Sequence, residues 1–322
     1  MKIRKEWETV QSYMPMVQKE RPGFGLLRTC WDYLLARKNL GCSPTEYFVY
    51  RFYLKGNEER KTYVVAREKA AVIRACNRDE EARQHLANKG LFNQTFTDHL
   101  DRRWLVVRES SYEEFLRFNR EVPDAFYKPL QGERGMGSGC TLNLPELMTE
   151  GCYQKMKDGD IILEGRVHQH SSLAAFNEST VNTTRVLTIT DQQGEPHVIG
   201  VALRLGRAGS EVDNFHQGGI AVCVDPHTGT VISDGIDRKL NRYKEHPDSH
   251  LVFRGFTLPM WDQALEMCAK SAKRLPTVRY IGWDVAFTEE RPILIEGNSL
   301  SDVDLIQMSS ERGIREEYLR YV

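Results

Sequence analysis

The sequence predicts an α+β fold with a mainly helical N-terminal region, and three observations carry that reading. From Trp7 to about Ala87 the pattern is mostly helical, whereas beyond Asn88 short apolar runs of strand length alternate with turn residues. Near the end, Val278 to Phe287 and Pro292 to Ile295 flank the charged turn segment Thr288 to Arg291, which is a hairpin signal. No Gly-x-Gly-x-x-Gly opens a helix after a strand, so a dinucleotide-binding fold is set aside.

In the helical region, Trp31, Leu34 and Leu35 fit one helix face and Gly41 marks a stop. Thr45 to Leu54 and Tyr63 to Asn77 read as further helical pieces around the polar Lys55 to Lys61. Acids interleave with the bases here, which describes a solvated surface. The expectation is a helical cap over residues 1–87 that helps shape an acceptor site, followed by a catalytic unit over 88–322.

That unit opens with Asn88 to Phe92, an amphipathic helix around Thr97 to His99, and a short strand from Trp104 to Val107. Glu113 to Asn119 reads as helix and Ala125 to Pro129 as an extended segment. Lys128 there has apolar and aromatic neighbours, so it needs an anionic partner. Downstream, Gly132, Gly135, Gly137, Ser138 and Gly139 belong to a run with four glycines in eight residues. Glycines free the backbone to adopt positive φ and to approach a ligand, and consecutive amides in a concavity bind anions. Such a run is also what a hairpin tip contains, and no Gly-Lys-Ser/Thr ends it as in a Walker A loop.

Asp160 to Val167 is an apolar strand that breaks at Glu164-Gly165. Asn182 to Thr190 and Val198 to Leu205 read as antiparallel strands joined at Asp191 to Pro196; Arg185 and Arg204 within them call for acidic or phosphate partners. Val212 to Ile220 places Asn214 and His216 before Gly218-Gly219, a composition suited to a loop beside a ligand, although a lone histidine is more often a surface or packing residue. Met260 to Arg274 has helical spacing, and the tail from Leu300 reads as loop and helix, with Ser301 to Asp304 placed beside the hairpin.

The hairpin is the centre of the chemistry. A register in which 288 faces 292 and 287 faces 293 sets Asp284 opposite Glu296, and alternation puts Asn298 on the same face. Like charges directly opposed destabilise a sheet, so a cation between them is expected. Mg²⁺ is the natural candidate, because it is held by one or two carboxylates with substrate phosphates. A lone acidic pair of this kind is also what a half-exposed hairpin presents to solvent.

Composition bounds the function. The 322-residue chain is 40% hydrophobic and 28% charged, enough for a large core, and its net charge of −1 excludes a strongly basic nucleic-acid surface. Seven cysteines without CxxC spacing suggest reduced thiols in a cytoplasmic protein, with no zinc site. No run approaches the ~18 apolar residues of a membrane span. Neither a nucleic-acid nor a membrane partner is expected.

In this order, from about Asn88 to Asn298, the motifs resemble the ATP-grasp superfamily. The resemblance implies two α+β subdomains clasping ATP, here 88–165 and 166–322. It implies that Lys89 and Lys128 are the nucleotide lysines, Gly132 to Gly139 the phosphate loop, and Glu164, Gly165 and Val167 the adenine hinge. Arg185, Arg204 and Asn214 match the arginine-strand and asparagine motifs, and Asp284, Glu296 and Asn298 the magnesium set. VDNFHQGG, the DPHTG turn and IGWDVAFTEERPILIEGN look most like the sugar-transfer-associated branch. The N-terminal third departs from the family's usual βαβ domain.

The implied chemistry is ATP-dependent carboxylate–amine ligation with ATP and Mg²⁺: an acyl phosphate forms, and a small-molecule amine attacks it. Lys128 and Arg185 would hold the phosphoryl oxygens, and Arg204 the carboxylate or the oxyanion. The alternatives are a kinase acting on a hydroxyl, and a module that senses nucleotide without turnover.

Overall fold

The computed structural model describes residues 2–131, 139–140, 149–208 and 218–322. The N-terminal region is helical: α1 (Lys2–Glu20), α2 (Leu26–Leu40), α3 (Pro44–Val49), α4 (Asn57–Arg60), α5 (Ala66–Cys76) and α6 (Glu80–Ala87). Helix α2 stops where expected, at Gly41, whose φ of 85° is left-handed backbone that suits glycine. Helix α3 is started by a Ser43/Glu46 capping box that satisfies backbone donors reciprocally. The segment read as a polar break contains α4.

Next come α7 (Lys89–Thr95), β1 (Trp104–Val106), α8 (Tyr112–Glu121), β2 (Phe126–Pro129), β3 (Gly139–Cys140), α9 (Glu150–Asp158), β4 (Ile161–Glu164) and α10 (Ser171–Ala174). The remainder is β5 (Thr183–Thr190), β6 (Pro196–Leu205), β7 (Ile220–Val224), β8 (Gly235–Ile236), β9 (Arg242–Tyr243), α11 (Trp261–Lys273), β10 (Tyr280–Phe287), β11 (Pro292–Asn298), α12 (Asp304–Ser310) and α13 (Arg315–Leu319). In place of the amphipathic helix expected around Thr97 to His99 there is a single 3-10 turn.

The described strands form two antiparallel sheets, a smaller one ordered β1-β4-β2-β3 and a larger one ordered β11-β10-β5-β6-β7-β8-β9. This is the α+β architecture expected. Helix α11 covers one face of the large sheet, where Ala264, Met267 and Cys268 meet Val186, Val201, Ile281 and Trp283. On the other face Leu187, Ile189 and Tyr280 pack with Ile306 of α12 and with Val72 and Cys76 of α5. Side chains alternate along a strand, so Arg185 and Asp284 fall on this second face, the one the N-terminal helices flank.

The hairpin pairing differs from the expected register at its tip. Phe287 pairs with Pro292 and Val285 with Leu294, one residue short of the register that would oppose Asp284 and Glu296. A bulge between Asp284 and Val285 inserts Ile295 on the facing strand and restores the pairing Asp284↔Glu296 and Gly282↔Asn298. A bulge sets two residues against one and shifts everything beyond it by one position.

Candidate functional site

Three adjacent strands build a row of charge across the large sheet. Glu296 on β11 faces Asp284 on β10, which faces Arg185 on β5. Arg185 Nη2 donates to Asp284 Oδ2 at 3.0 Å while its Nε donates to Oδ1. Arg204, from β6, adds a donation to Oδ2 at 2.8 Å. Two guanidinium groups thus hold one buried carboxylate, and both arginines have the acidic partner that their strand positions called for. Burial alone would raise the Asp284 pKa, but Arg185 and then Arg204 outweigh it and hold the group far below the usual carboxylate range.

Glu296 behaves in the opposite way. It is half-buried, and Asn298 Nδ2 donates to its Oε1 at 3.1 Å. Burial, followed by the charge of Asp284, raises its pKa, and the two carboxyls are in hydrogen-bonding contact. Neighbouring carboxyls in which one is driven towards the protonated form are what a cation would relieve. Two carboxylates and an amide on one face suit a hard, oxygen-seeking ion such as Mg²⁺. Among the described residues no cluster of three or more His, Cys, Asp or Glu side chains suggests a softer metal.

The small sheet delivers Lys128 and helix α7 delivers Lys89. Lys128 on β2 donates from Nζ to Glu164 Oε2 at 2.8 Å, supplying the anionic partner that its apolar setting demanded. Lys89 sits in the first turn of α7, where Asn88 caps the helix by accepting from the amides of Gly90 and Leu91. Helices α6 and α7 can approach β11 because Gly297 has no side chain; a Cβ there would stand 2.7 Å from Leu86 Cδ2. Lys89 thereby comes within electrostatic reach of Glu296, Lys128 and Glu164. Burial, with Lys128 adding to it, lowers its pKa against the pull of the two acids.

At the Glu164-Gly165 break the groups have partners within the protein. The Glu164 carboxylate is turned inward: its oxygens accept from Lys128, from Asn93 Nδ2 at 2.8 Å and from Arg102 Nη2 at 2.9 Å. The amide of Gly165 is spent on the carbonyl of Arg103 at 2.8 Å. Glu164 therefore holds Lys128 in place, and Val167 is half-buried just beyond it. Gly132, Gly135, Gly137, Ser138, Asn214 and His216 lie outside the described residues.

Sequence reasoning missed Arg102. Its side chain is 3% exposed and bridges the two sheets, donating to Glu164 on β4 and, through Nη1, to the Leu294 carbonyl of β11 at 2.7 Å. Its Nη2 also reaches the carbonyl of Ile295, the extra residue of the bulge, at 3.3 Å. No local pattern marks it, since its partners lie 62 and 192 residues away in sequence. Ser301, read as lying beside the hairpin, accepts from Arg185 Nη1 at 2.8 Å.

Comparison with known proteins gives a family match, to sugar-transfer associated ATP-grasp, over residues 147–322, more than half of the chain. No curated protein matches. Among solved structures, the chain is similar to the ATP-grasp ligase PsnB complexed with a phosphomimetic variant of its minimal precursor, Mg and ADP, at 16% identity and a TM-score of 0.42, covering 69% of this chain and 52% of that one. A biotin carboxylase complex from Campylobacter jejuni aligns at 12% identity with a TM-score of 0.46, over 74% of this chain and 46% of that one. An L-amino acid ligase from Bacillus licheniformis aligns at 11% identity with a TM-score of 0.39, over 68% and 41%. The chain spans about half the length of these three proteins.

Proposed function

The chain belongs to the sugar-transfer associated ATP-grasp family, and from that premise we propose that it is an ATP-dependent carboxylate–amine ligase, forming an amide through an acyl phosphate with release of ADP and phosphate. The observation that supports this most is the carboxyl pair Asp284 and Glu296, with Arg185 and Arg204 on Asp284, and with Lys89 within electrostatic reach of Glu296 and of the Glu164-held Lys128. Cations surrounding a carboxylate pair suit a triphosphate carried on a metal, and phosphoryl transfer needs positioning and charge more than a strong base.

In this reading Asp284, Glu296 and Asn298 would hold Mg²⁺, which would supply charge neutralisation for the transferring phosphoryl group. Lys89 and Lys128 hold phosphate oxygens, with Lys128 aimed by Glu164. Arg185 keeps its bond to Ser301 and orients the γ-phosphate. Arg204 receives the substrate carboxylate. One carboxylate oxygen attacks the γ-phosphorus and ADP leaves. The amine nitrogen then attacks the acyl carbon, inorganic phosphate departs with its bridging oxygen, and the nitrogen loses a proton to give the amide. The domain assignment is part of the proposal: residues 1–87 flank the sheet face that carries Asp284 and would shape the acceptor side, while 88–165 and 166–322 would clamp the nucleotide.

The experiment is ADP release with panels of carboxylates and amines, with hydroxylamine present. Formation of a hydroxamate is expected, because hydroxylamine intercepts an acyl phosphate. ADP release with a stable phosphate ester and no hydroxamate would replace this reading by a kinase.

A further inference from the structure

Helix α2 buries one face and exposes an apolar one opposite. Thr29, Tyr33 and Ala36 are buried, while Leu27, Trp31, Leu34 and Leu35 are 88%, 66%, 52% and 41% exposed. The spacing of i, i+4, i+7 and i+8 makes the exposed four a single stripe. Isolated exposed leucines are ordinary, but a continuous stripe containing a tryptophan marks an interaction surface.

Charge identifies the occupant. Residues 1–40 contain eight Lys and Arg against four Asp and Glu, in a chain whose net charge is −1. All four acids are already engaged: Glu8 by Arg4, Glu6 by Arg37, Glu20 by Arg51 and Asp32 by Arg60. Of the other bases, Lys19, Arg21, Arg28 and Lys38 are exposed and have no acidic partner among the described residues, Arg21 donating to the Tyr53 carbonyl. Lys38 continues the stripe one turn beyond Leu34 and Arg28 borders it, so the apolar band is framed by uncompensated positive charge. A second copy of this helix fits poorly. Twofold antiparallel packing that brings Trp31 to Leu34 would also bring Arg28 to Arg37 and set Leu27 on Lys38.

We propose that the exposed stripe of α2 seats the protein on an anionic lipid surface, with Leu27, Trp31 and Leu34 entering the headgroup boundary and Arg28 and Lys38 meeting lipid phosphates. An amphipathic helix framed by bases lies in the interface plane and does not span it, in keeping with the lack of any helix among the described residues long and apolar enough to cross a membrane. The inference is independent of the ligase reading, and it departs from the expectation, based on the lack of a spanning apolar run, that no membrane partner is involved.

The test is vesicle flotation of the full chain with phosphatidylcholine alone and with equal parts of phosphatidylcholine and phosphatidylglycerol. Binding to the mixed vesicles only, weakened by salt, is expected. Trp31→Glu should weaken it by about tenfold or more through lost apolar burial. Arg28→Ala and Lys38→Ala should each cost about fivefold. Because Trp31 and Leu27 are outside the core, Trp31→Glu and Leu27→Glu should keep the wild-type unfolding midpoint, which separates lost docking from lost folding. No binding to mixed vesicles, or binding by both glutamate variants equal to that of wild type, would overturn the proposal. So would a concentration-dependent dimer in light scattering that Trp31→Glu abolishes, since the occupant would then be a second copy.

Discussion

Replacing Arg102 by methionine removes a guanidinium that is 3% exposed and leaves the Glu164 carboxylate buried with Lys128 and Asn93 as its remaining partners. It also strips the Leu294 and Ile295 carbonyls of their donor at the bulge. Breaking a buried ion pair from one side costs about 3–5 kcal/mol, and an orphaned buried acceptor about 1–3 kcal/mol. Because the two effects share one side chain, the sum is set at about 4–6 kcal/mol, a large share of the 5–15 kcal/mol typical of a domain. Urea unfolding of Arg102→Met, Glu164→Leu and the double variant measures this. The double variant removes both charges and should recover much of the loss, giving a coupling of about 2–3 kcal/mol. Additive single effects, or a loss below about 1 kcal/mol for Arg102→Met, would refute the claim that this arginine ties the lysine-bearing sheet to the hairpin.

Two further outcomes follow from the same geometry. Gly282→Ala would place a Cβ 2.1 Å from Ser301 Oγ and 3.1 Å from Arg185 Cδ; overpacking of this kind should cost about 1–3 kcal/mol in denaturant unfolding, and Ser301→Gly in the same chain should relieve most of it. Asp248, held by Arg207 Nε at 2.8 Å, has its pKa lowered to about 2 by that bond and by the Ala208 amide, against its burial. A depressed carboxylate contributes stability that is fully present above its unfolded pKa and is lost as pH falls through the folded value. Asp248→Asn should therefore be less stable than wild type near neutral pH, by no more than about 1 kcal/mol for so exposed a pair, and the gap should close towards pH 2; a gap that persists there would contradict the assignment.

What the sequence reveals depends on the range of the signal. Alternation and a short charged turn are local, and they led to the facing of Asp284 and Glu296 only because the bulge at Ile295 cancels a one-residue difference in register at the tip. The bulge itself could not be read, because isoleucine is an ordinary strand residue and nothing nearby asks for an insertion. Lys128 announced that it needed an acid, and Arg185 and Arg204 that they needed partners, since buried charge must be compensated. Which acid answered was a matter of tertiary pairing: Glu164 went to Lys128 and Arg102, and both strand arginines to Asp284. The Trp31, Leu34 and Leu35 face was legible as a face. Its direction was not, because α2 is apolar on both sides and only packing decides which side the core takes.

The most direct measurement of the central claim is calorimetric titration with a non-hydrolysable ATP analogue, with and without Mg²⁺, on wild type and Glu296→Gln. The account predicts Mg²⁺-dependent binding by wild type, weakened by about tenfold or more in the variant, as expected when a charged ligand of a hard cation is lost. Equal binding by the two folded proteins, or binding indifferent to Mg²⁺, would contradict it.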